Sequence, residues 1–345
     1  MELKTKKHYI AYLDILGYKD VLKNNPQEAD VFLNKILDAV EKMKKSISYY
    51  RDVAKQFFGV EGGLKLRVFS DNILLCLPVK QGKEELKRGI VFLLSVALIQ
   101  RGLVLAHELI VRGGITIGDF FINEDIVFGE GLIDAVSMES KAEYPYVVVS
   151  DELQKHLSKM LHDVSSPYQK LKEIVQKKNH GGVISAAEEV FLSKNRETVA
   201  KEVFYSRTLQ ELMRHFPDEP AFINYLFDLS FRHIFGYEFA EYIDGCAAKE
   251  PNKYKGIVEV QEDYFGFIQA HKMLLMRGLK KYCNYDDISI TDSALVLERE
   301  KIARKWIWLL RYHNSVCEER DYKMGLFPHR LGYDSHTLRL IVRVG

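Results

Sequence analysis

The sequence predicts an α+β fold: a ferredoxin-like βαββαβ palm with extra elements, followed by a mainly α-helical C-terminal region. Short aromatic and β-branched runs alternate with longer segments of helical apolar spacing as far as residue 155. After that point helical patterns dominate. We therefore predict two domains, residues 1–155 and residues 156–345.

The first predicted elements are a strand, a long helix and a hairpin. Residues 8–15 are aromatic and β-branched, as is typical of a strand. Residues 26–58 open with a proline and early acidic residues, which suit the first turn of a helix, and then carry apolar residues at near-helical spacing. Residues 64–69 and 72–79 predict two strands joined by a tight turn.

The pattern continues with a helix, a second strand pair, another helix and a buried strand. These elements are predicted at residues 83–107, 109–117 with 120–128, 130–142 and 146–150. The second strand pair is expected to break at Gly118-Asp119. Strands and helices in this order predict one sheet that is covered by helices on one face.

The second half of the chain is predicted to be helical. Helical spacing recurs at residues 151–178, 185–216, 219–243, 258–282 and 295–321. The last of these segments carries large apolar residues on a charged background. It is interpreted as a core-facing helix of an all-α domain, with a dimerisation helix as the alternative.

Composition excludes several classes of partner. The chain has 345 residues and a formal net charge of +1, so bulk charge gives no reason to expect nucleic acid or a membrane as a partner. Its four cysteines form no CxxC pair, which argues against a zinc site or a disulfide framework. The longest apolar run, residues 89–100, is far shorter than the roughly 20 residues that cross a bilayer. The first residues do not have the pattern expected of a signal peptide, and we expect a cytoplasmic protein.

Two aspartates stand inside otherwise apolar, strand-like runs. Asp14 lies in YIAYLDILGY (residues 9–18), and Asp71 lies in LKLRVFSDNILLCL (residues 64–77). A carboxylate inside a buried strand is costly unless a cation or hydrogen bonds compensate it. Two such residues close together in the fold would form a divalent-metal site, whereas each one alone would be a turn or cap residue.

These motifs, in this order, resemble the catalytic domain of the class III nucleotidyl cyclases. Residues 14–18 (DILGY) match the D-I-x-G-[FY] motif of that family, and Asp71 stands at a hairpin tip, as the second metal aspartate of the family does. Residues 112–118 (RGGITIG) match the strand R-x-G-I-x-x-G. The helix pattern G-x-x-V-N-x-A-x-R-x-E is matched at Gly129, Ala135 and Glu139. The resemblance covers residues 7–155.

The resemblance implies a two-metal triphosphate site. Asp14, Asp71 and Ile15 would hold two Mg²⁺ or Mn²⁺ ions, and Arg112 would contact the polyphosphate. Asp14 is followed by a strand–glycine–helix turn at Gly17 and Tyr18, whose backbone N–H groups can bind phosphate.

The chain departs from the family at two catalytic positions. Ile133 stands where the family has an asparagine, and Ser137 stands where it has the arginine that stabilises the transition state. Because charge develops on the phosphoryl group, a cation is needed, and Lys141 or a residue of a partner subunit would supply it. The open alternative is a catalytically inactive, cyclase-like protein that binds nucleotide and acts as a regulator.

The base-reading positions of the family also differ. Adenylate cyclases usually have lysine, and guanylate cyclases glutamate, where this chain has Arg67; the second base-reading position is Ile126. An arginine can donate two hydrogen bonds to carbonyl oxygens, which suits O2 of uracil or cytosine. The chain therefore looks most like the pyrimidine cyclases of the bacterial Pycsar anti-phage system.

That resemblance implies a homodimer with the active site at the subunit interface. The enzyme would convert UTP or CTP into the 3′,5′-cyclic nucleotide and pyrophosphate, and the product would activate a separate effector. An adenylate or guanylate cyclase is the alternative enzyme. A GGDEF-type polymerase shares the palm but is disfavoured, because no GG[DE]EF sequence occurs at the hairpin.

Overall fold

A computed structural model describes residues 4–24, 26–53, 55, 59–82, 84–161, 165–228, 264–283 and 293–323. The chain divides into two compact units, Met1–Glu262 and Asp263–Gly345. The described residues between 156 and 228 lie in the first unit. The division into a catalytic domain, residues 1–155, and a mainly helical accessory region, residues 156–345, stays a prediction.

The first unit begins with the predicted strand, helix and hairpin. Its elements are β1 (Lys6–Ile15), α1 (Tyr18–Asn24), a 3₁₀ turn (Pro26–Glu28), α2 (Ala29–Val53), β2 (Lys65–Phe69), β3 (Asn72–Pro78) and α3 (Glu85–His107). It continues with β4 (Val111–Ile122), β5 (Val127–Phe128), α4 (Glu130–Lys141), β6 (Val147–Val149), α5 (Asp151–Ser158), α6 (Ser165–Asn179), α7 (Ala186–Leu212), β7 (Met213–Arg214) and β8 (Phe222–Ile223).

The sheet contains the predicted palm. Its strands lie in the order β2-β3-β1-β4-β6-β8-β7, and β5 pairs with the end of β4. The four strands of the βαββαβ motif, β2-β3-β1-β4, are all antiparallel to their neighbours, and β6 extends the sheet parallel to β4. This order is that of a ferredoxin-like fold, and the α+β class is therefore confirmed.

Several predicted segments are different in the structure. The helix predicted at 151–178 is divided into α5 and α6, and the helix predicted at 185–216 ends at Leu212, where β7 begins. Strand β4 runs without a break through Gly118-Asp119, and only the two-residue β5 folds back on it. Gly118 is a turn signal in the sequence, but in the structure it pairs with His8 of β1 and lies in close contact with Gly131 of α4, which leaves no room for a side chain. The helix predicted at 219–243 is also wrong at its start, where residues 222–223 form the strand β8. Residues 229–243 lie outside the described residues.

Different helices cover the two faces of the palm. The ring of Tyr9 stacks on Phe92 of α3, with 5.8 Å between the ring centroids. The next residue, Ile10, points to the opposite face, where it contacts Gly131 of α4. The prediction that helices cover one face only is therefore wrong. We call the face that carries Ile10, Tyr12 and Asp14 the site face.

The second unit contains two described helices, α8 (Tyr264–Cys283) and α9 (Ser293–Lys323), which pack on each other. Trp306 of α9 lies directly over Gly278 of α8, where any larger residue would collide with the indole ring. His271 and His313 are fully buried between the helices, with their Nδ1 atoms 3.1 Å apart. Within the described ranges, no helix combines the length and apolar character that crossing a bilayer requires.

Candidate active site

A single cross-strand row on the site face carries the aspartate of β1. Asp14 is paired with Asn72 of β3 on one side and with Arg112 of β4 on the other, and Asn72 is paired with Phe69 of β2. Directly opposed residues of antiparallel strands point to the same face, with their Cβ atoms roughly 5 Å apart. The register therefore places an acid, an amide and a guanidinium side by side at one end of the palm.

Asp71 reaches the same place from the β2–β3 hairpin. It is buried, and its carbonyl accepts a hydrogen bond from the backbone N–H of Ile15 at 2.9 Å. Its carboxylate accepts a hydrogen bond from Asn72 Nδ2 at 3.2 Å. The hairpin tip is thus fastened to the end of β1 beside Asp14. The preceding residue, Ser70, has a φ of 57°, in the left-handed region that favours glycine.

The guanidinium of Arg112 has a partner at each of its three nitrogen atoms. Nε donates to Asp14 Oδ2 at 3.2 Å, and Nη1 donates to the carbonyl of Ala142 at 3.2 Å. Nη2 lies 2.8 Å from Oε1 of Glu139, which comes from the buried stripe of α4. The side chains of Asp14 and Glu139 are 17% and 9% exposed. One arginine therefore compensates two largely buried carboxylates.

The charges in this cluster favour a further cation. Burial raises the pKa of the Asp14 carboxyl, Arg112 offsets this only in part, and Glu139 and Asp71 raise the pKa further. Tyr12, one row along the site face, has its pKa raised by burial and by the same three carboxylates. Because three carboxylates act on one small region with a single arginine among them, an added cation would be stabilised there.

The predicted base-reading residues lie together at the β4–β5 turn. Arg67 of β2 donates from Nη2 to the backbone carbonyl of Asn123 at 2.6 Å, and Lys65 donates to the carbonyl of Ile122 at 3.2 Å. The side-chain oxygen of Asn123 accepts from the backbone N–H of Ile126 at 2.7 Å, which closes the turn. Arg67 pairs with Leu74 of β3, which pairs with Tyr12 of β1, so Arg67 lies in the cross-strand row next to that of Asp14. The structure thus brings Arg67 and the exposed Ile126 to the same turn.

The glycines of β4 allow α4 to lie on the strand backbone. A Cβ on Gly114 would lie 2.6 Å from the carbonyl oxygen of Ala135, and a Cβ on Gly118 would lie 2.8 Å from Cα of Gly131. Neither strand position can hold a larger residue unless the helix moves. This close approach brings the carboxylate of Glu139 within reach of Arg112.

The predicted phosphate-binding turn follows β1. Ile15 is the buried last residue of the strand. Gly17 has a φ of 93°, and its carbonyl accepts from the N–H of Val21 in α1. Tyr18 is the first residue of α1, and its ring lies 6.3 Å from that of Phe32 in α2. The glycine is needed here because the chain turns sharply in a left-handed conformation.

The two departures from the cyclase pattern and the expected substitute cation all lie on α4. Ile133 is 69% exposed, and Ser137 is half-buried. Lys141 is the exposed last residue of the helix, one position before Ala142, whose carbonyl binds Arg112. In this helix, which the structure describes in full, Lys141 is the one cationic side chain.

The donor atoms at the end of β1 fit Mg²⁺ or Mn²⁺. Both ions prefer oxygen ligands, and Asp14, Asp71 and the carbonyl of Ile15 offer carboxylate and carbonyl oxygens at one strand end. Across the described ranges, no three His, Cys, Asp or Glu side chains converge into a complete metal site. An ion at this place would therefore need further oxygens, such as those of a polyphosphate.

Glu139 and Tyr12 belong to the site but have no role in the prediction from the sequence. Glu139 follows Gly131 and Ala135 at a spacing of four residues, which puts it on the buried face of α4, where a carboxylate needs a partner. Tyr12 stands two residues before Asp14, so the period of a strand puts both side chains on one face. These two spacings are the signals that would have found them.

Comparisons with known proteins give partial similarity to solved cyclase structures. The adenylyl cyclase CyaB from P. aeruginosa is 14% identical, with a TM-score of 0.35 over 47% of this chain and 85% of that chain. The guanylyl cyclase Cya2 is 16% identical, with a TM-score of 0.30 over 47% and 83% of the two chains. A bacterial light-regulated adenylyl cyclase is 14% identical, with a TM-score of 0.29 over 45% and 81%. No protein-family model and no curated protein sequence matches this chain. TM-scores this low carry no inference about activity.

Proposed function

We propose that this chain is a pyrimidine nucleotidyl cyclase, which converts UTP or CTP into the 3′,5′-cyclic nucleotide and pyrophosphate. The observation that carries the proposal is the row that sets Asp14 beside Asn72 and Arg112, with Asp71 fastened to the same strand end. Carboxylates that can hold divalent ions, beside a guanidinium that can bind phosphate oxygens, are the groups that a triphosphate requires.

In the proposed reaction, the ribose 3′-oxygen forms a bond to the α-phosphorus and loses its proton to water. The bond from the α-phosphorus to the bridging oxygen breaks, and pyrophosphate leaves. When bound, divalent ions would activate the hydroxyl group and neutralise the triphosphate. Asp14, Asp71 and the carbonyl of Ile15 would hold these ions, and Arg112 would bind polyphosphate oxygens beside them.

The transition state needs a further positive charge, because α4 carries serine where the cyclase pattern has arginine. Lys141 at the end of α4, or a residue of a second copy of the chain, would supply that charge. We therefore propose a homodimer with the site at the subunit interface. The backbone N–H groups at Gly17 and Tyr18, in the turn that follows the same end of β1, would bind the phosphates.

The proposed preference for a pyrimidine rests on Arg67 and Ile126. One N–H of the Arg67 guanidinium is used by the carbonyl of Asn123, and the others would donate to O2 of uracil or cytosine. The exposed, apolar Ile126 offers no group to read the polar edge of a purine. We further propose that the cyclic nucleotide is a bacterial, cytoplasmic second messenger in anti-phage defence, which activates a separate effector.

Product analysis tests this function. The purified chain is incubated with each of the four nucleoside triphosphates in Mg²⁺ or Mn²⁺, and the products are identified by mass spectrometry. Cyclic UMP or cyclic CMP is expected. A cyclic purine nucleotide would instead establish an adenylate or guanylate cyclase, and no cyclic product from any triphosphate would refute the enzyme.

A second candidate is a nucleotide-binding regulator without turnover. It is favoured by Ile133 and Ser137, which replace the two catalytic residues of the cyclase pattern, and by the contact that already joins Arg112 to Asp14. A triphosphate that raises the melting temperature of the chain while no cyclic product forms would support this candidate.

A further inference from the structure

Arg112 forms an ion pair with the carboxylate of Asp14, which is a metal ligand in the proposed function. Its Nε lies 3.2 Å from Asp14 Oδ2. A divalent ion that binds the same carboxylate would stand within a few ångströms of the guanidinium, where two cations repel each other strongly in a partly buried site. The ion and the guanidinium would therefore compete for the charge of this carboxylate, and we expect the contact between Arg112 and Asp14 to lengthen when the ion binds.

Glu139 offers the guanidinium a second anchor. Its carboxylate is nine-tenths buried, and Oε1 lies 2.8 Å from Arg112 Nη2. Oε1 accepts no hydrogen bond from the residues that the structure describes, so the ion pair with Arg112 is the contact that compensates its charge. Because Glu139 belongs to α4 and Asp14 belongs to β1, this ion pair does not depend on the contact between Arg112 and Asp14.

Ala142 provides the third contact, from Nη1 to its backbone carbonyl at 3.2 Å. Glu139 lies in the last turn of α4 and Ala142 is the residue directly after it, so two of the three partners of Arg112 lie at this helix end and only Asp14 comes from the strand. Loss of the Asp14 contact would leave the arginine attached to α4, and not free in solvent.

We propose that Arg112 is the internal counter-cation of Asp14, that a divalent ion replaces it there, and that Glu139 is a positioning residue that keeps the guanidinium in the site after the exchange. The inference rests on the proposed metal site at Asp14. It assigns Arg112 two successive partners: Asp14 in the metal-free protein, and phosphate oxygens once the ion has taken that carboxylate. Glu139 remains the common partner in both states.

The deciding measurement uses the double variant Arg112→Gln, Glu139→Gln, which removes the positive charge of the arginine and the negative charge of the glutamate together. Its net charge equals that of the wild type, so any effect of net charge on ion affinity cancels. Because the competitor of the ion at Asp14 is gone, Mn²⁺ should bind about tenfold more tightly than to the wild type. The affinity is measured on the full chain, without nucleotide, from the electron paramagnetic resonance signal of free Mn²⁺.

The single variants complete a double-mutant cycle. Arg112→Gln alone should also tighten Mn²⁺ binding, whereas Glu139→Gln alone should weaken it, because Arg112 then has Asp14 as its one remaining carboxylate. The effect of Glu139→Gln should differ by about threefold or more between the backgrounds with and without Arg112. Lys65→Gln is the control, since Lys65 carries a positive charge on the same face but binds a backbone carbonyl. It should leave the Mn²⁺ affinity near that of the wild type.

The results separate this inference from the proposed function. Unchanged Mn²⁺ affinity in the double variant would overturn the exchange at Asp14, and an equal effect of Glu139→Gln in both backgrounds would overturn the role of Glu139. Neither measurement involves turnover, so both can succeed in a chain that forms no cyclic nucleotide. Arg112→Gln alone leaves Glu139 buried without its cation and can impair folding; the comparison of the wild type with the charge-balanced double variant decides the question in that case.

Discussion

Replacement of Gly114 by alanine should drive α4 away from the sheet. The added Cβ would lie 2.5 Å from Met138 Cβ and 2.6 Å from the carbonyl oxygen of Ala135. Carbon atoms pack best at about 3.5–4.0 Å, so the helix must retreat by about 1 Å. Overpacking of this kind costs about 1–3 kcal/mol, and we expect the upper end of that range because one obstructing atom is backbone. The same movement would lengthen the contact between Arg112 and Glu139.

Gly102 provides a matched control for this substitution. It lies on the exposed side of α3, and a Cβ there would meet no atom within 4 Å. Alanine at a helical position without a clash stabilises by about 0.5–1 kcal/mol. Urea unfolding of both variants, followed by circular dichroism, should therefore give Gly114→Ala a midpoint well below the wild type and Gly102→Ala one at or above it. Equal midpoints for the two variants would refute the close packing of α4 on β4.

Three further outcomes are expected. Asp71→Asn, which keeps the shape of the buried turn residue, should lower cyclic nucleotide formation by about a hundredfold or more while the urea midpoint stays near that of the wild type; undiminished product would refute the role of Asp71 in the proposed site. Ser70→Gly should stabilise the hairpin by about 0.5–1 kcal/mol, because glycine adopts a φ of 57° without strain, whereas Ser70→Ala should be close to neutral; equal melting temperatures for both variants would contradict this. Burial lowers the pKa of His313 to about 4 from 6.5, so the unfolded chain takes up the proton first, and the stability of the α8–α9 pair should be complete above pH 6.5 and fall by about 3 kcal/mol towards pH 4. Urea unfolding followed by tryptophan fluorescence measures this loss, since both tryptophans lie in α9, and a flat profile from pH 7 to pH 4 would count against it.

The order of strands and helices in the palm could be predicted because it depends on local periodicity. The aromatic and β-branched content of residues 8–15 and the helical spacing in residues 26–58 are properties of neighbouring residues, and both elements lie close to the expected place. The helix predicted from residue 219 failed for the complementary reason. Phe222 pairs with Val148 of β6, and Arg214 pairs with Phe222, so a sheet edge decides the conformation of this short segment.

The candidate site shows the same division. Asp14 and Asp71 could be selected from the sequence, because an isolated carboxylate in an apolar strand is a local anomaly, and Arg112 could be selected because residues 112–118 resemble a family motif. Their roles in metal and nucleotide binding stay predictions. The contact that joins Arg112 to Glu139 could not be selected in this way, since it depends on how closely α4 lies on β4, and that distance is set by glycines on both elements.

The sequence by itself thus determined the elements of the palm and the residues whose charges require compensation. Only the tertiary structure decided which charge compensates which. Arg112 and Asp14 are 98 residues apart and meet through the register of β1 with β4. The physical reason is that the cost of burying a charge is a property of each residue by itself. The compensation of that charge depends on its distance from an opposite charge, and strand pairing and helix packing set that distance.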